Sequence, residues 1–204
     1  MAAKTGFQDG CTDGETIVAS IREPACFTVV FDRHYDAIWS YLARRVGRAL
    51  AEELASETFV RAFAQRSSYD SAYQDAKPWL YAIATNLLRK HARAEERRRR
   101  AYARSVERDE ISGGLERVAE RLDAAARAGN VAVALSRLAP ADRDTMLLFA
   151  LTDLDYEGIA IATGAPVGTV RSRLHRARRH LQAALSYDNA VPGHAITKGP
   201  GDDS

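Results

Sequence analysis

The chain has 204 residues, a length that suits one or two small domains. Its 29 basic and 27 acidic side chains leave a net charge of only +2, so the overall charge does not indicate a partner. Two cysteines are too few for a disulfide framework or a structural zinc site. Because no apolar run reaches the roughly 20 residues of a membrane helix and no signal-peptide pattern is present, we expect a cytoplasmic chain without membrane insertion.

The first elements are a leader and an amphipathic helix. Residues 1–22 are rich in Gly, Thr and Asp and show no period, so we expect a disordered leader. Between Phe27 and Leu42, apolar and aromatic residues recur every three or four positions, which predicts a helix with one apolar face. Gly47 follows where this helix should end.

Two further helices are predicted in the N-terminal half. The first runs from about residue 51 to 65, with an apolar side and a charged side. The polar and aromatic residues 67–75 lack a helical period and predict a loop. The next helix starts near Pro78, since proline is favoured in a first helical turn, and it continues towards the arginine run 97–100.

The remaining chain divides into a linker, a second helical block and a tail. Residues 105–130 are charged, contain two adjacent glycines and predict a flexible linker. Apolar periodicity returns over 131–187, whereas residues 188–204 are rich in Gly and Pro and predict a disordered tail. Because alternating strand patterns are absent, we expect an all-α fold of two helical domains, 23–104 and 131–187.

A helix-turn-helix is predicted inside the second domain. Asp155 can cap a helix over 156–163, and Gly164 can supply the left-handed residue that ends it. Pro166 then opens a second helix from Val167. Two helices joined by a short turn with glycine are typical of this motif, although many regulator families share it.

The second helix of the motif is uniformly basic. It carries five arginines and two histidines, with no acidic residue between Val167 and Leu185. A helix of this charge gains charge-assisted contacts when it faces a phosphate backbone. A solvated helix whose arginines pair with acids elsewhere in the chain is the alternative interpretation.

The C-terminal block resembles a known family. Residues 166–178, Pro-Val-Gly-Thr-Val-Arg-Ser-Arg-Leu-His-Arg-Ala-Arg, are similar to the recognition helix of extracytoplasmic-function (ECF) sigma factors. Residues 156–160 resemble the first helix of that family's helix-turn-helix, and 135–138 followed by Pro140 resemble the start of its domain.

The N-terminal block resembles the same family. Residues 52–63 are similar to the helix with which these factors grip the clamp of core RNA polymerase, and 78–87 to the helix for promoter melting. The chain departs from the pattern at three positions. Leu50 stands where an acid is frequent, Ser56 where Gln is frequent, and Thr85 where Arg is common.

The resemblance implies a polymerase-binding site. Glu53 and Glu57 lie four residues apart on one helix face, and with Phe59 and Arg61 they would contact the beta′ clamp of core RNA polymerase. From the spacing alone, a solvated acidic face is the simpler interpretation.

The resemblance also implies a promoter-melting site. Aromatic and basic side chains beside each other suit single-stranded DNA, because bases stack on rings while cations follow the backbone. The loop 67–75 would hold a base flipped from the stack. Trp79 could equally be core and Asn86 a surface amide. The residues assigned to this site are Trp79, Tyr81, Asn86, Arg89, Lys90 and Arg93.

The recognition helix is assigned to the upstream promoter element. Its candidate DNA contacts are Thr169, Arg171, Ser172, Arg173, His175, Arg176, Arg178 and Arg179. By helix geometry we expect Arg171, Ser172 and Arg176 to face base edges in the major groove. The flanking arginines of the set would contact phosphates.

The expected function is promoter-specific transcription initiation as a dissociable subunit of bacterial RNA polymerase. No catalytic set, metal-ligand spacing or cofactor motif is recognisable, so we expect neither an enzyme nor a bound metal or cofactor. An anti-sigma factor is a common partner in the family, although no residue identifies one. The alternative is a helix-turn-helix regulator that binds duplex DNA without core polymerase.

Overall fold

The protein is described by a computed structural model over residues 10–105 and 131–189. Within these ranges the secondary structure is helical and contains no strand, which confirms the all-α prediction. Residues 131–136 are also helical, and short 3-10 helices occupy Pro24–Cys26 and Arg66–Ser68. The main helices are α1 (Asp13–Arg22), α2 (Phe27–Val46), α3 (Arg48–Gln65), α4 (Lys77–Ser105), α5 (Pro140–Leu151), α6 (Tyr156–Thr163) and α7 (Val167–Asn189).

Helix α1 contradicts the prediction of a disordered leader for residues 13–22. Its start is a capping box: Glu15 N–H donates to the Thr12 hydroxyl, and Thr12 N–H donates to the Glu15 carboxylate. Ile17 is fully buried against the N-terminal core. The prediction of a disordered leader was wrong for residues 13–22 because it rested on polar composition, whereas the Thr-x-x-Glu pattern of residues 12–15 is a helix-start signal. Residues 1–9 lie outside the described residues.

The N-terminal domain is a bundle in which α2, α3 and α4 pack around one apolar core. Helix α2 ends at Gly47 as predicted, with φ of 81°, a conformation that favours glycine. Of the predicted loop over 67–75, residues 69–75 lie between the second 3-10 helix and α4, whereas 67 and 68 belong to that 3-10 helix. The largest fully buried apolar side chains of this domain are Tyr41, Ile17, Ile38, Leu42, Leu80 and Val30.

The C-terminal domain contains the predicted helix-turn-helix in α6 and α7. Asp155 caps α6 by accepting a hydrogen bond from Gly158 N–H at 2.7 Å. Gly164 ends the helix in the left-handed conformation, with φ of 64°. A small apolar core, which includes Leu148, Ile159 and Leu174, fixes the two helices against α5.

The two domains pack against each other, which the sequence did not predict. Helix α4 lies along α6, and the apolar cores of both domains form one continuous cluster. Asp144 of the C-terminal domain accepts hydrogen bonds from Arg45 and Arg89 of the N-terminal domain, each at 2.7 Å. Lys77 pairs with Asp153 across the same boundary. The predicted linker, 105–130, lies almost entirely outside the described residues.

Candidate nucleic-acid and polymerase interfaces

The acidic face of α3 is only partly as predicted. Glu53 is exposed, while Glu57 accepts a hydrogen bond from Arg61 Nε at 2.7 Å. Phe59 is 4% exposed and packs edge-on against the Phe31 ring, with centroids 4.9 Å apart. Within the described part of the chain, Glu53 is therefore the one of the four predicted residues that presents a charge without a salt bridge, and Phe59 belongs to the core.

An apolar groove runs beside this acidic face, between α2 and α3. It has a volume of about 490 Å³, and Phe27 and Phe59 form part of its lining. Its exposed apolar side chains are Phe31, Val60 and Phe63, with Val60 62% exposed. The sequence pattern assigned Phe31 to the buried stripe, because helical spacing does not reveal where a partner helix stops covering that stripe.

The loop before α4 is ordered around two aromatic rings. The rings of Tyr69 and Trp79 lie 4.9 Å apart, and both side chains are half-buried. The Tyr69 hydroxyl donates to the Tyr73 carbonyl at 2.8 Å. Burial, together with nearby carboxylates such as Asp13 and Asp75, raises the pKa of Tyr69 to about 12, so this hydroxyl stays a donor. Trp79 thus packs against the loop and keeps part of its side chain accessible.

Tyr81, predicted to stack on single-stranded DNA, is a core residue. It is 2% exposed, and its ring meets the Tyr41 ring edge-on with centroids 5.3 Å apart. Burial raises the pKa of both hydroxyls. The prediction is wrong because the position of Tyr81 on α4 faces α2, so that a base has no access to the ring.

Asn86 and the basic residues after it differ in exposure along α4. The Asn86 side chain is exposed, and its Oδ1 lies 3.4 Å from Arg89 Nη1. Arg89 also donates to Asp144, whereas Lys90 and Arg93 are exposed. The structure therefore brings together the predicted polar residues of this site, with Arg89 already occupied by the C-terminal domain.

A basic cleft of about 650 Å³ lies between α4 and the C-terminal domain. Two acidic residues line this cleft. Glu96 pairs with Arg100, and Asp144 pairs with Arg45 and Arg89. Within the described parts of the chain, the remaining arginines of the cleft form no salt bridge. They are Arg93, Arg97, Arg143 and Arg173.

The recognition helix α7 exposes most of its predicted contacts. The guanidinium of Arg171 lies 5.9 Å from the Tyr156 ring centroid, and that of Arg178 lies 4.9 Å from the Phe149 ring centroid. Arg176 instead binds the Asp142 carboxylate through two hydrogen bonds of 3.0 and 2.8 Å. For Arg176, the alternative interpretation of this helix, in which its arginines pair with acids elsewhere in the chain, is therefore correct.

The other predicted residues of α7 are accessible to different degrees. Ser172, His175 and Arg179 are exposed, while Thr169 is half-buried at the start of the helix. Arg173 is half-buried because it lines the cleft against α4. In the described ranges, no helix is long and apolar enough to cross a membrane.

Two family models match the chain, one on each of the two helical domains. Sigma-70 region 2 matches residues 30–98, and Sigma-70 region 4 matches residues 128–181. The first match covers the α2–α4 bundle and the second the helix-turn-helix domain. The protein is therefore a sigma factor of the sigma-70 class.

Curated relatives narrow the class. The chain is 31% identical to the ECF RNA polymerase sigma factor SigC of Mycobacterium tuberculosis over 157 residues, which cover 74% of this chain and 79% of that protein. It is 31% identical to the ECF RNA polymerase sigma-E factor of Salmonella typhimurium, with 76% and 84% covered. The chain belongs to the ECF RNA polymerase sigma factor family, which directs RNA polymerase to promoters and initiates transcription.

Solved structures support the fold. The sigma factor RpoE of Bartonella quintana, in complex with the anti-sigma factor NepR, superposes with a TM-score of 0.57 at 24% identity, covering 79% of this chain and 98% of that one. CnrH, in complex with the cytosolic domain of CnrY, gives a TM-score of 0.61 at 21% identity, with 86% and 98% covered. The alternative of a regulator without polymerase leaves the region 2 match unexplained.

Proposed function

We propose that three surfaces of this sigma factor divide the work of initiation. Helix α3 and the apolar groove dock on core polymerase, the loop before α4 captures an unpaired promoter base, and α7 reads the upstream promoter element. The chain acts as a polymerase subunit without a catalytic step of its own, and its place is the cytoplasm because its DNA partner is there.

The exposed basic face of α7 carries the proposal. The turn at Gly164 joins α6 to α7, whose buried face packs in the domain while its basic face stays exposed, as a helix that enters the major groove requires. Arg171 and Ser172, near its N-terminal end, are exposed, which supports their proposed contact with base edges. Losing a bidentate arginine–guanine contact costs about 1–3 kcal/mol and relaxes preference at one base.

Selection on a randomised upstream element tests this role. With the holoenzyme, Arg171→Ala should change the preferred sequence, whereas Arg179→Ala should lower affinity for all sequences and reduce the salt slope by about one unit. Gln182→Ala, at an exposed position on the same helix outside the candidate contacts, serves as the control. An unchanged profile for both Arg171→Ala and Ser172→Ala would exclude α7 as the reader.

Docking on polymerase should depend on the groove as well as on the acidic face. Fully desolvated apolar anchors dominate most protein interfaces, and rim charges contribute mainly to encounter. We therefore expect Val60→Asp to weaken core binding more than Glu53→Lys, and Asp36→Lys on α2 to have no effect. Titration of labelled chain with core polymerase measures all three, and equal affinities would contradict the proposed surface.

Base capture and melting are tested separately at Asn86. Its exposed amide lies beside the basic face of α4, so Asn86→Ala should reduce open-complex formation more than duplex binding. A normal permanganate footprint with this variant would remove Asn86 from the mechanism.

An anti-sigma factor is a further proposed partner. The two solved structures of similar fold are complexes, one of them with a named anti-sigma factor. The apolar groove at Val60 and Phe63 is the surface that we propose for such a protein. Competition between a candidate anti-sigma protein and core polymerase would then be sensitive to Val60→Asp.

A further inference from the structure

We infer that Asp13, the first residue of α1, is a positioning residue for the loop that captures the promoter base. The inference rests on the proposed role of the loop. Asp13 lies outside the matched region 2 segment, which begins at residue 30. It would act through the loop backbone and not by touching DNA.

Asp13 holds the loop through two backbone hydrogen bonds. Its own N–H donates to the Gln74 carbonyl at 3.0 Å, and its Oδ2 accepts from Ala76 N–H at 2.9 Å. These contacts fix the last residues of the loop immediately before α4 begins at Lys77. The register between the loop and the first turn of α4, which carries Trp79, therefore depends on Asp13.

The Asp13 carboxylate is itself fixed from the α2 side. His34 Nε2 lies 2.6 Å from Oδ2, and Arg33 Nη1 donates to Oδ1 at 3.1 Å. Asp13 and His34 are both buried. Asp75 also brings a carboxylate oxygen to this group, within 4.8 Å of the others. Because the Arg33 guanidinium already neutralises the carboxylate of Asp13, the group is better explained as a hydrogen-bonded hub than as a cation site.

Close approach of the α1 backbone provides a second, independent constraint on the loop. A Cβ at Gly14 would lie 2.8 Å from the Tyr73 carbonyl oxygen and 3.0 Å from the Ser71 carbonyl oxygen. Both neighbours are backbone atoms, which cannot move aside as a flexible side chain can. The start of α1 therefore fits against the middle of the loop only because residue 14 has no side chain.

The other end of the segment is attached to the same helix. Arg66 Nε donates to the Ser20 carbonyl at 3.2 Å, so the 3-10 helix before the loop is bound to the last turns of α1. Helix α1 thus holds the segment 66–76 at its beginning, its middle and its end. A binding loop fixed in advance loses less conformational entropy when it captures its ligand.

The test uses holoenzyme assembled from the full chain and core polymerase. Asp13→Asn removes the charge and Gly14→Ala introduces the clash, while Asp32→Asn and Gly10→Ala are exposed matched controls, with open space around Gly10. Two probes are used: a fluorescent single-stranded downstream element with each base varied in turn, and a duplex upstream element.

We expect Asp13→Asn to lose about tenfold in affinity for the preferred single strand, the size of one lost charge-assisted hydrogen bond, and Gly14→Ala to show a loss of the same order because the clash displaces the loop. Their preference for the captured base should also flatten, which a general loss of stability would not produce. Affinity for the duplex upstream element should stay unchanged, and both controls should match the unmodified chain.

The outcomes separate this inference from the proposed function. If the unmodified holoenzyme shows no base preference on the single strand, the loop is not a capture site, and both ideas fail. If it shows a preference that both variants retain at full affinity, only the positioning role of Asp13 is overturned. Should Asp13→Asn not fold, Gly14→Ala decides, with hydrogen exchange of the loop amides reporting whether the loop was released.

Discussion

Asp144 links the two domains and offers the sharpest test of their packing. Its side chain is 3% exposed and accepts from Arg45 Nη2 and Arg89 Nε, whose side chains are 12% and 30% exposed. Asp144→Asn keeps the shape of the side chain and removes its charge. Two arginines would then lose their counter-charge, and Arg45, the more buried of the two, would regain water only when the domains separate.

The magnitude follows from the burial of the three groups. Removing one partner of a buried ion pair costs about 3–5 kcal/mol. Because Arg89 already has partial access to water, we expect the lower end, about 3 kcal/mol, which shifts the equilibrium towards separated domains by a factor of about 150. The apolar contacts between α4 and α6 remain, so both domains should stay folded.

Small-angle scattering and DNA binding by the free chain measure the effect. We expect Asp144→Asn to increase the radius of gyration and to raise the affinity of the N-terminal domain for single-stranded DNA, since Arg89 is released. Asp142→Asn, two residues away on α5, is the matched control, because Asp142 pairs with Arg176 inside its own domain. If both variants keep the dimensions of the unmodified chain, the bridge does not hold the domains together.

Three further outcomes are expected. Asp142→Asn should release Arg176 and steepen the salt dependence of upstream-element binding in a filter or fluorescence titration; an unchanged slope would mean that Arg176 does not contact DNA. Burial alone would raise the pKa of Asp13, but hydrogen bonds from His34 and from the loop backbone lower this pKa to about 2 from 3.8. Roughly 2 kcal/mol of stability should therefore be lost as the pH falls from about 4 to about 2. Acid unfolding followed by circular dichroism should show a smaller loss for Asp13→Asn. Gly164→Ala should lower the unfolding free energy by about 1–2 kcal/mol in denaturant titrations, while Gly168→Ala, with open space around it and no positive φ, should not.

Local signals predicted the helix-turn-helix because they are strong and close in sequence. Asp155 and Gly164 each satisfy a requirement that few residue types meet, a side-chain acceptor at the first turn and a left-handed residue at the end. The same class of signal marked α1 through Thr12 and Glu15, and the polar composition around it concealed the pattern. Helix boundaries were therefore predictable wherever their capping residues were considered.

The candidate site was less predictable because orientation and pairing depend on distant parts of the chain. Tyr81 and Trp79 lie two residues apart on α4, and only packing against α2 decides that the first is buried. The pairing of Asp144 with Arg45 joins positions 99 residues apart, a distance at which helical spacing gives no information. Sequence spacing therefore does not show whether a side chain of the site is exposed or paired, because the element that packs against it lies elsewhere in the chain.

A chain of polar contacts connects α4 to the C-terminal domain. Thr85 stands where the family commonly has arginine, and its hydroxyl lies 3.0 Å from the buried Tyr41 hydroxyl. Arg45 donates to that same tyrosine oxygen at 2.7 Å and to Asp144 at 2.7 Å. Because residue 85 is a threonine and not an arginine, Arg45 is the more buried of the two cations that donate to Asp144.

On the proposed role of Arg89 in DNA binding, domain packing and promoter binding compete for its guanidinium. Arg89 can donate its Nε to Asp144 or to a DNA phosphate, and one carboxylate at 2.7 Å occupies it in the packed state. Under this proposal we expect core polymerase and promoter DNA together to supply the binding free energy that separates the domains. We expect an isolated chain to bind the downstream element weakly for the same reason, even though Lys90 and Arg93 are exposed on α4.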